Sequence, residues 1–267
     1  MRMRSLAVGF WLTLTLGGCG TLTPDPPAPY TPNPLGPGLR IAQVQDPKSP
    51  DYAPNTAVTV SSVAVSWIDS YDETHDGKSV GTVYIQDVGS SAPYSGLSLY
   101  EQAYVPASLR ALPGDVLDVT GPYDESTSVG AATFPAGDTL PQFNKPVATF
   151  QYQFTAPTPT VVPLGDLDMH ADGSNYAAGR KWENMLVTVN DIVIAGGETD
   201  STGLRVSYLM GEPDASIDLN ACAISNELYP LGEHDFPAGT HFSSITGIVT
   251  WFYTYQIAPR SAADLVQ

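Results

Sequence analysis

Apolar and polar residues alternate over short runs from residue 40 onward, and the alternation changes phase inside one of these runs. In Ala57–Val65, which reads AVTVSSVAV, Val58 and Val60 share one face. After two serines the alternation resumes one residue out of phase, and the apolar positions are now Val63 and Val65. A period of two is typical of β-strands, and a phase change within a strand indicates a β-bulge or a sharp bend. Since no run of three turns carries a helical repeat of apolar residues, we predict an all-β fold.

The same pattern returns later in the chain. Leu186–Ile194 reads LVTVNDIVI, and each of its apolar positions lies 129 residues after its counterpart in the first run. A second pair of runs, PGDVLDVTG ending at Gly121 and PAGTHFSSITG ending at Gly247, closes on Thr-Gly pairs that are 126 residues apart. Long bent strands are how small barrels turn corners. The duplication therefore predicts two tandem copies of one small β-barrel.

The order of these runs resembles the OB-like domains of exported bacterial proteins, which are often found beside extracellular nucleases. The resemblance is carried by the long bent strand, by VYIQD at 83–87 and by GDVLDVTG at 114–121, and in the second copy by WENMLVTV at 182–189 and YQIAPRSAAD at 255–264. It implies OB-like domains at 40–158 and 159–267 and does not imply a ligand. The first copy departs from the pattern by a long insertion at 123–142, and the second has VSYL where the first has YIQD.

The amino terminus has the pattern of a bacterial lipoprotein signal. A basic start, MRMR, precedes the apolar run Leu6–Leu16 and the sequence LGGC. We predict a signal peptide at 1–18 and a diacylglycerol on the thiol of Cys19, the alternative being an uncleaved helix or a chance cysteine. By resemblance to the sorting rule of Gram-negative lipoproteins, Gly20 directly after the cysteine favours the outer membrane. Either face of that membrane fits the sequence. Seven prolines in the linker at 19–39 would hold the barrels about 50–60 Å from the membrane.

Composition narrows the function classes. Asp and Glu number 28 against 11 Lys and Arg, a formal charge of −17. Such a surface repels nucleic acid and suits cations or neutral sugars, although a solvated acidic surface gives the same composition. Once Cys19 is lipidated, only Cys222 remains, so we expect no internal disulfide and a buried thiol in a strand at 216–224. The recognised hydrolase, zinc and phosphate-loop motifs are absent from the sequence, which favours a non-enzymatic protein.

A candidate metal site lies in the connection between the two predicted domains. In Asp166–Gly173, Asp168, His170 and Asp172 have a spacing that can turn ligands onto a calcium ion. A similar run occurs at Asp72–Gly77. The alternative for both is a polar turn, in which Asp-Gly supplies the backbone angles.

Candidate ligand-binding residues follow from the predicted barrel, because OB barrels usually bind on strands 2 and 3 and the loops above them. Aromatic rings with amide and carboxylate neighbours can stack on sugar rings. The alternative is that the rings fill the core or the interface between domains. The candidates are Tyr84, Gln86, Asp87, Tyr94 and Tyr100 in the first domain, and Trp251, Tyr253 and Tyr255 on alternating positions of the predicted last strand.

Three functions are consistent with these features. The first is a lipid-anchored, non-enzymatic binding or scaffold protein of the bacterial outer membrane, whose partner is a glycan or an envelope protein. The second is an accessory factor of a metal-dependent hydrolase or nuclease. The third is a structural spacer in the envelope.

Overall fold

The computed structural model of the chain describes residues 38–79, 81–129, 132–134, 137–168, 175–213, 221–252 and 254–267. These residues belong to one compact unit. The predicted signal peptide, Cys19 and the linker up to residue 37 lie outside the described residues. Within the described ranges, no helix has the length and apolar character needed to cross a bilayer.

The first half of the chain forms a seven-stranded sheet that closes on itself. The neighbours run β1-β2-β3-β8-β5, and β5 pairs back with β1, so five strands make a closed barrel. Strands β4 and β9 extend the sheet, β6 and β7 form a separate ribbon, and a short helix, α1, precedes β1. The elements are α1 (Ile41–Gln45), β1 (Thr56–Ile68), β2 (Val83–Asp87), β3 (Gly96–Tyr100), β4 (Ala103–Val105), β5 (Asp115–Ser126), β6 (Ser128–Val129), β7 (Ala132–Thr133), β8 (Leu140–Asn144) and β9 (Val147–Gln153).

The second half repeats this arrangement. Its neighbours run β11-β12-β13-β15-β14, and β14 pairs back with β11. Counted in chain order, the third and fifth strands of each barrel are parallel, namely β3 with β8 and β13 with β15. The predicted all-β fold of two OB-like barrels is therefore confirmed. The elements are β10 (Thr160–Val161), α2 (Tyr176–Arg180), β11 (Leu186–Thr199), β12 (Val206–Gly211), β13 (Ala223–Ser225), β14 (His241–Trp251), β15 (Tyr255–Ala258) and β16 (Leu265–Val266), with 3₁₀ turns at Leu164–Asp166 and Ala262–Asp264.

The long first strand of each barrel bends at the predicted point. Ser62 in β1 and Asp191 in β11, which are 129 residues apart, both have a φ of 58°. In β1 the pairing with β5 shifts register between Val60 and Val63, so the predicted bulge is confirmed. In β11 the pairing with β14 keeps one register across the bend. In β11, therefore, the change in which side chains face inward comes from a kink in the backbone and not from an extra residue in the pairing.

Cross-strand threonines repeat at equivalent positions of the two barrels. The hydroxyls of Thr59 and Thr120 are 2.9 Å apart, and those of Thr188 and Thr246 are 2.7 Å apart. Each pair lies between the first and fourth strands of its barrel. Such pairs stabilise neighbouring strands and fix their register.

The two Thr-Gly pairs mark places where a further strand comes close. A Cβ on Gly121 would lie 2.8 Å from the Cα of Pro146, and a Cβ on Gly247 would lie 2.5 Å from the carbonyl oxygen of Ala258. Only glycine fits without moving the neighbouring backbone. The repeated glycine therefore lets the fourth strand pack closely in each copy.

Each barrel has its own apolar core. In the second, Val187, Val189, Ile192 and Ile194 all point inward, as the alternation predicts. Cys222 is fully buried just before β13, and burial raises the pKa of its thiol. Its predicted place in the core is confirmed, while residues 216–220 of that predicted strand lie outside the described residues.

Candidate functional site

The outer face of β2 and β3 is covered by the second barrel. The side-chain oxygen of Gln86 accepts a hydrogen bond from the backbone N–H of Leu186 at 3.1 Å, and its amide nitrogen donates to the carbonyl of Ser90 at 2.9 Å. A Cβ on Gly96 would lie 2.6 Å from the backbone nitrogen of Met185. All five residues of β2 are buried: Val83 and Ile85 face the core of the first barrel, whereas Gln86 is covered by the second. Much of the face on which an OB barrel usually binds a ligand is here a contact between domains.

Asp87 holds the start of the first barrel. Its carboxylate oxygens accept hydrogen bonds from the backbone N–H groups of Ile41 and Ala42, at 3.0 and 3.2 Å, and lie 3.6 Å from the guanidinium of Arg40. Burial raises the pKa of this carboxyl, and the donors and Arg40 oppose the shift. Asp87 thus has framework partners on α1 and does not face open solvent.

A buried charged cluster joins the barrels. Arg180, at the end of α2, donates to the side-chain oxygen of Gln45 at 2.7 Å and to Glu125 at 2.6 Å, and its Nε lies 3.4 Å from Glu183. Its guanidinium also donates to the hydroxyl of Tyr123 at 3.2 Å. One cation therefore faces two carboxyl groups. Burial raises the pKa of Glu183 well above its usual range, against the opposing effect of Arg180.

Beside this interface, the two barrels enclose a cleft of about 650 Å³. The second and third strands of both copies contribute to its wall: Tyr84 and Tyr100 from β2 and β3, and Ser207 and Ser225 from β12 and β13. A pocket of this size and position is typical of a small-molecule site between domains. The cleft is therefore the candidate functional site.

The wall of the cleft combines aromatic rings with amides. Tyr100 and Phe252 are 41% and 37% exposed, so their rings offer surface to a ligand. Trp251 also lines the cleft, although most of its ring is packed. The described wall also has five amide side chains, a group that can donate and accept hydrogen bonds, although that of Asn226 already bonds to the backbone of Leu204 and Val206: Gln142, Asn144, Asn184, Asn226 and Gln256.

Two polar pairs cross the cleft from one barrel to the other. The hydroxyl of Tyr84 donates to Glu227 at 3.0 Å, and the guanidinium of Arg205 lies 3.2 Å from the carboxylate of Glu73. Burial raises the pKa of both Tyr84 and Glu227. Arg205 also lies over the ring of Phe252, 5.6 Å from its centroid. These pairs hold the two walls at a fixed separation.

Some buried polar atoms in the cleft wall have no protein partner. The indole N–H of Trp251 and the hydroxyl of Ser225 belong to side chains of residues that are 3% and 4% exposed, and neither has a hydrogen-bond partner among the described residues. The amide oxygen of Asn144 is in the same situation. Since buried polar groups are nearly always hydrogen-bonded, water or a ligand is the expected partner.

The structure brings together only part of the predicted ligand-binding set. Tyr84, Tyr100 and Trp251 line the cleft, whereas Gln86 and Asp87 have the framework partners described above. Trp251 and Tyr255 do not alternate on one strand as expected: they face each other on β14 and β15.

Tyr255 and Tyr94 lie away from the cleft wall. Tyr255 is fully buried, its ring stacks on Tyr176, and its hydroxyl donates to the Tyr176 carbonyl at 2.7 Å. It fills the core, which is the alternative that the sequence left open. Tyr94 has a φ of 63°, and its backbone N–H donates to the carbonyl of Lys181 at 2.7 Å. Tyr253 lies outside the described residues.

The predicted calcium site is described only at Asp168. The backbone carbonyl of Asp168 accepts a hydrogen bond from the side chain of Asn175 at 2.7 Å. His170 and Asp172 lie outside the described residues. Within the described ranges, no group of three or more His, Cys, Asp or Glu side chains is placed to hold a metal ion.

The similar run at Asp72–Gly77 is a polar turn. The carboxylate of Asp72 accepts hydrogen bonds from the backbone N–H groups of Asp76 and Gly77, at 3.1 and 2.7 Å. Gly77 has a φ of 85°, which favours glycine. The turn interpretation is therefore confirmed for this run.

Most polar residues of the cleft wall were not predicted, and Glu73, Arg205, Asn226 and Glu227 show why. Glu73 belongs to the Asp72 run, where only the calcium-like spacing was considered, and Arg205 lies in the connection between β11 and β12. Asn226 and Glu227 directly follow the buried strand β13, and this abrupt change from apolar to polar residues is the signal that points to them. Their spatial relation to Tyr84 depends on how the barrels pack.

No family model, curated protein or solved structure matches the chain.

Proposed function

We propose that this protein is a non-enzymatic binding protein of the bacterial cell envelope, anchored by a lipid on Cys19, and that the cleft between its barrels binds a glycan. The observation that carries the proposal is the composition of the cleft wall. Exposed rings at Tyr100 and Phe252 stand beside five amide side chains and several carboxylates. Rings stack on the apolar faces of sugars, while amides and carboxylates accept and donate hydrogen bonds to hydroxyl groups.

The fixed walls of the cleft also support binding. The hydrogen bond between Tyr84 and Glu227 and the ion pair between Arg205 and Glu73 span the two barrels. A preformed site avoids part of the entropic cost of ordering on binding. The unpaired groups of Trp251 and Ser225 offer further partners to a polar ligand.

A glycan array followed by calorimetry tests the proposal. The full chain is purified in a detergent without a sugar headgroup, so that the detergent does not compete, and an array of envelope and plant glycans is screened. We expect at least one class of neutral or amino-bearing glycan to bind. If no glycan binds at millimolar concentration, the proposal is wrong, and a protein partner or a spacer role takes its place.

Two single variants test whether the ligand binds in the cleft. Tyr100→Ala removes a ring that is 41% exposed in the cleft, and Phe154→Ala removes one that is 40% exposed outside the residues that line it. An aromatic contact contributes up to about 1.5 kcal/mol, so we expect the first variant to lower glycan affinity by about tenfold. The second variant should keep the affinity of the parent protein. Equal losses in both variants would place the ligand elsewhere.

A further inference from the structure

The cleft carries more acidic than basic side chains. Among the described residues that line it, five carboxyl groups face a single guanidinium, that of Arg205, which is already 3.2 Å from Glu73. A cleft lined by one sign of charge concentrates ligands of the opposite sign and repels those of the same sign. The acidic members of the wall are Glu73, Asp124, Glu198, Asp200 and Glu227.

Among these carboxylates of the described residues, only Glu73 pairs with a cation within 4.0 Å, and two others accept hydrogen bonds from neutral donors of their own barrel. Glu73 pairs with Arg205, and Asp124 accepts a hydrogen bond from Gln142 at 3.4 Å. Asp200 accepts hydrogen bonds from the backbone N–H groups of Thr202 and Leu204, so it closes its own turn.

Glu227 also has a neutral donor, but that donor belongs to the other barrel, and Glu227 lies on the barrel that carries the unpaired groups of Ser225 and Trp251. It is partly buried and accepts a hydrogen bond from the neutral hydroxyl of Tyr84. Among the ion pairs of the described residues, none gives Glu227 a Lys, Arg or His partner within 4.0 Å. Glu198 also has no such partner there, but it is exposed to solvent. Charge pairs gain most where water is largely excluded, so Glu227 is the better acceptor for a cation.

A second observation points to a ligand at the same place. The indole N–H of Trp251 and the hydroxyl of Ser225 have no partner among the described residues, and both side chains line the cleft. An amino sugar presents hydroxyl groups to such atoms and a protonated amine to a carboxylate. The same molecule therefore satisfies the unpaired dipoles and the unpaired acid.

We propose that the cleft selects amino sugars, with the protonated amine of the ligand paired with Glu227 and its ring against Tyr100. This inference rests on the proposed glycan binding and names the class of glycan. Acidic glycans, which carry carboxylate or sulfate groups, are excluded by the wall. Neutral glycans bind more weakly because they leave Glu227 without a cation.

Two oligosaccharides that differ only at the amine test the inference. Oligomers of glucosamine and of N-acetylglucosamine of equal length are titrated into the full chain by calorimetry at neutral pH. A lower pH would protonate more of the free amine but would also protonate Glu227, because burial raises the pKa of that carboxyl. A hydrogen bond between charged groups is stronger than one between neutral groups. We expect the glucosamine oligomer to bind on the order of tenfold more tightly or better.

Glu227→Gln removes the charge with little change of shape and should abolish the difference between the two oligomers. Glu101→Gln removes an exposed carboxylate outside the cleft wall, one that pairs with Lys145, and should keep the difference. The comparison of the two oligomers on the parent protein does not depend on either variant folding.

Each remaining outcome overturns the inference. Equal affinities, or tighter binding of the N-acetylated oligomer, would show that the amine is not recognised, while glycan binding itself would stand. A preference that survives in Glu227→Gln would remove Glu227 from the site. Failure of both oligomers to bind would overturn the choice of amino sugars, and the array would then decide separately whether any glycan binds.

Discussion

Replacing Arg180 by Met tests whether the buried charged cluster holds the two barrels together. The substitution keeps a similar apolar volume and removes the cation from Glu125, with which it pairs at 2.6 Å. The side chains of Arg180 and Glu125 are 8% and 11% exposed, so water does not replace the lost partner easily. The hydrogen bond to Gln45 is lost at the same time.

The expected loss of stability follows from this burial. Removing one partner of a buried ion pair typically costs about 3–5 kcal/mol, because the other charge is left uncompensated. For a domain of roughly 150–250 residues, each kcal/mol lowers the melting temperature by about 2–4 °C. We therefore expect Arg180→Met to lower the melting temperature by about 10 °C.

Thermal unfolding followed by circular dichroism at neutral pH measures the effect. The double variant Arg180→Met, Glu125→Gln removes the orphaned charge of Glu125, although Glu183 remains, and should recover part of the loss. The exposed ion pair between Lys145 and Glu101 supplies the control, since Lys145→Met should change the melting temperature by only about 1–2 °C. A shift below about 3 °C for Arg180→Met, or no recovery in the double variant, would refute the reasoning.

Three further predictions concern burial and close packing. Burial raises the folded-state pKa of Glu183 above its usual 4.5, so the free energy of unfolding falls as pH rises from about 4.5 through the raised value. Glu183→Gln should make the free energy of unfolding, measured in urea at acidic and at alkaline pH, depend less on pH. The same pH dependence in the variant and the parent would contradict this. Gly247→Ala places a methyl group 2.5 Å from a carbonyl oxygen and should cost about 1–3 kcal/mol in denaturant unfolding, whereas Gly165→Ala, with open space around it, should be nearly neutral. Gln86→Leu leaves the Leu186 amide without its acceptor, so hydrogen exchange of that amide should accelerate and stability should fall by about 1–3 kcal/mol; unchanged exchange would exclude the role assigned to Gln86.

The sequence predicted the barrels through features that act within one strand or one strand pair. A period of two with a phase change is enough to place the bend at Ser62, because a bulge changes which side chains face the core. The repeated Thr-Gly pairs likewise report a close approach that any copy of this barrel needs. These signals are local, so they can be interpreted without knowledge of the rest of the fold.

The cleft was predicted only in part, because its walls depend on how two separately folded barrels meet. Tyr84 and Gln86 alternate with apolar neighbours on β2, and from the sequence both were candidates for a ligand-binding face. Packing of the second barrel puts Gln86 against Leu186 and leaves Tyr84 at the edge of the cleft. Nothing in the strand distinguishes a side chain that meets a ligand from one that meets another domain.

Covering the outer face of β2 and β3 has a consequence for how the two copies differ. Positions that support the barrel itself are the same in both, as the threonine pairs show. Positions that look across the cleft are not: Tyr84 on one side meets Glu227 on the other. The proposed binding site is therefore a property of the asymmetric pair, and a single copy, however well folded, would present only half of it.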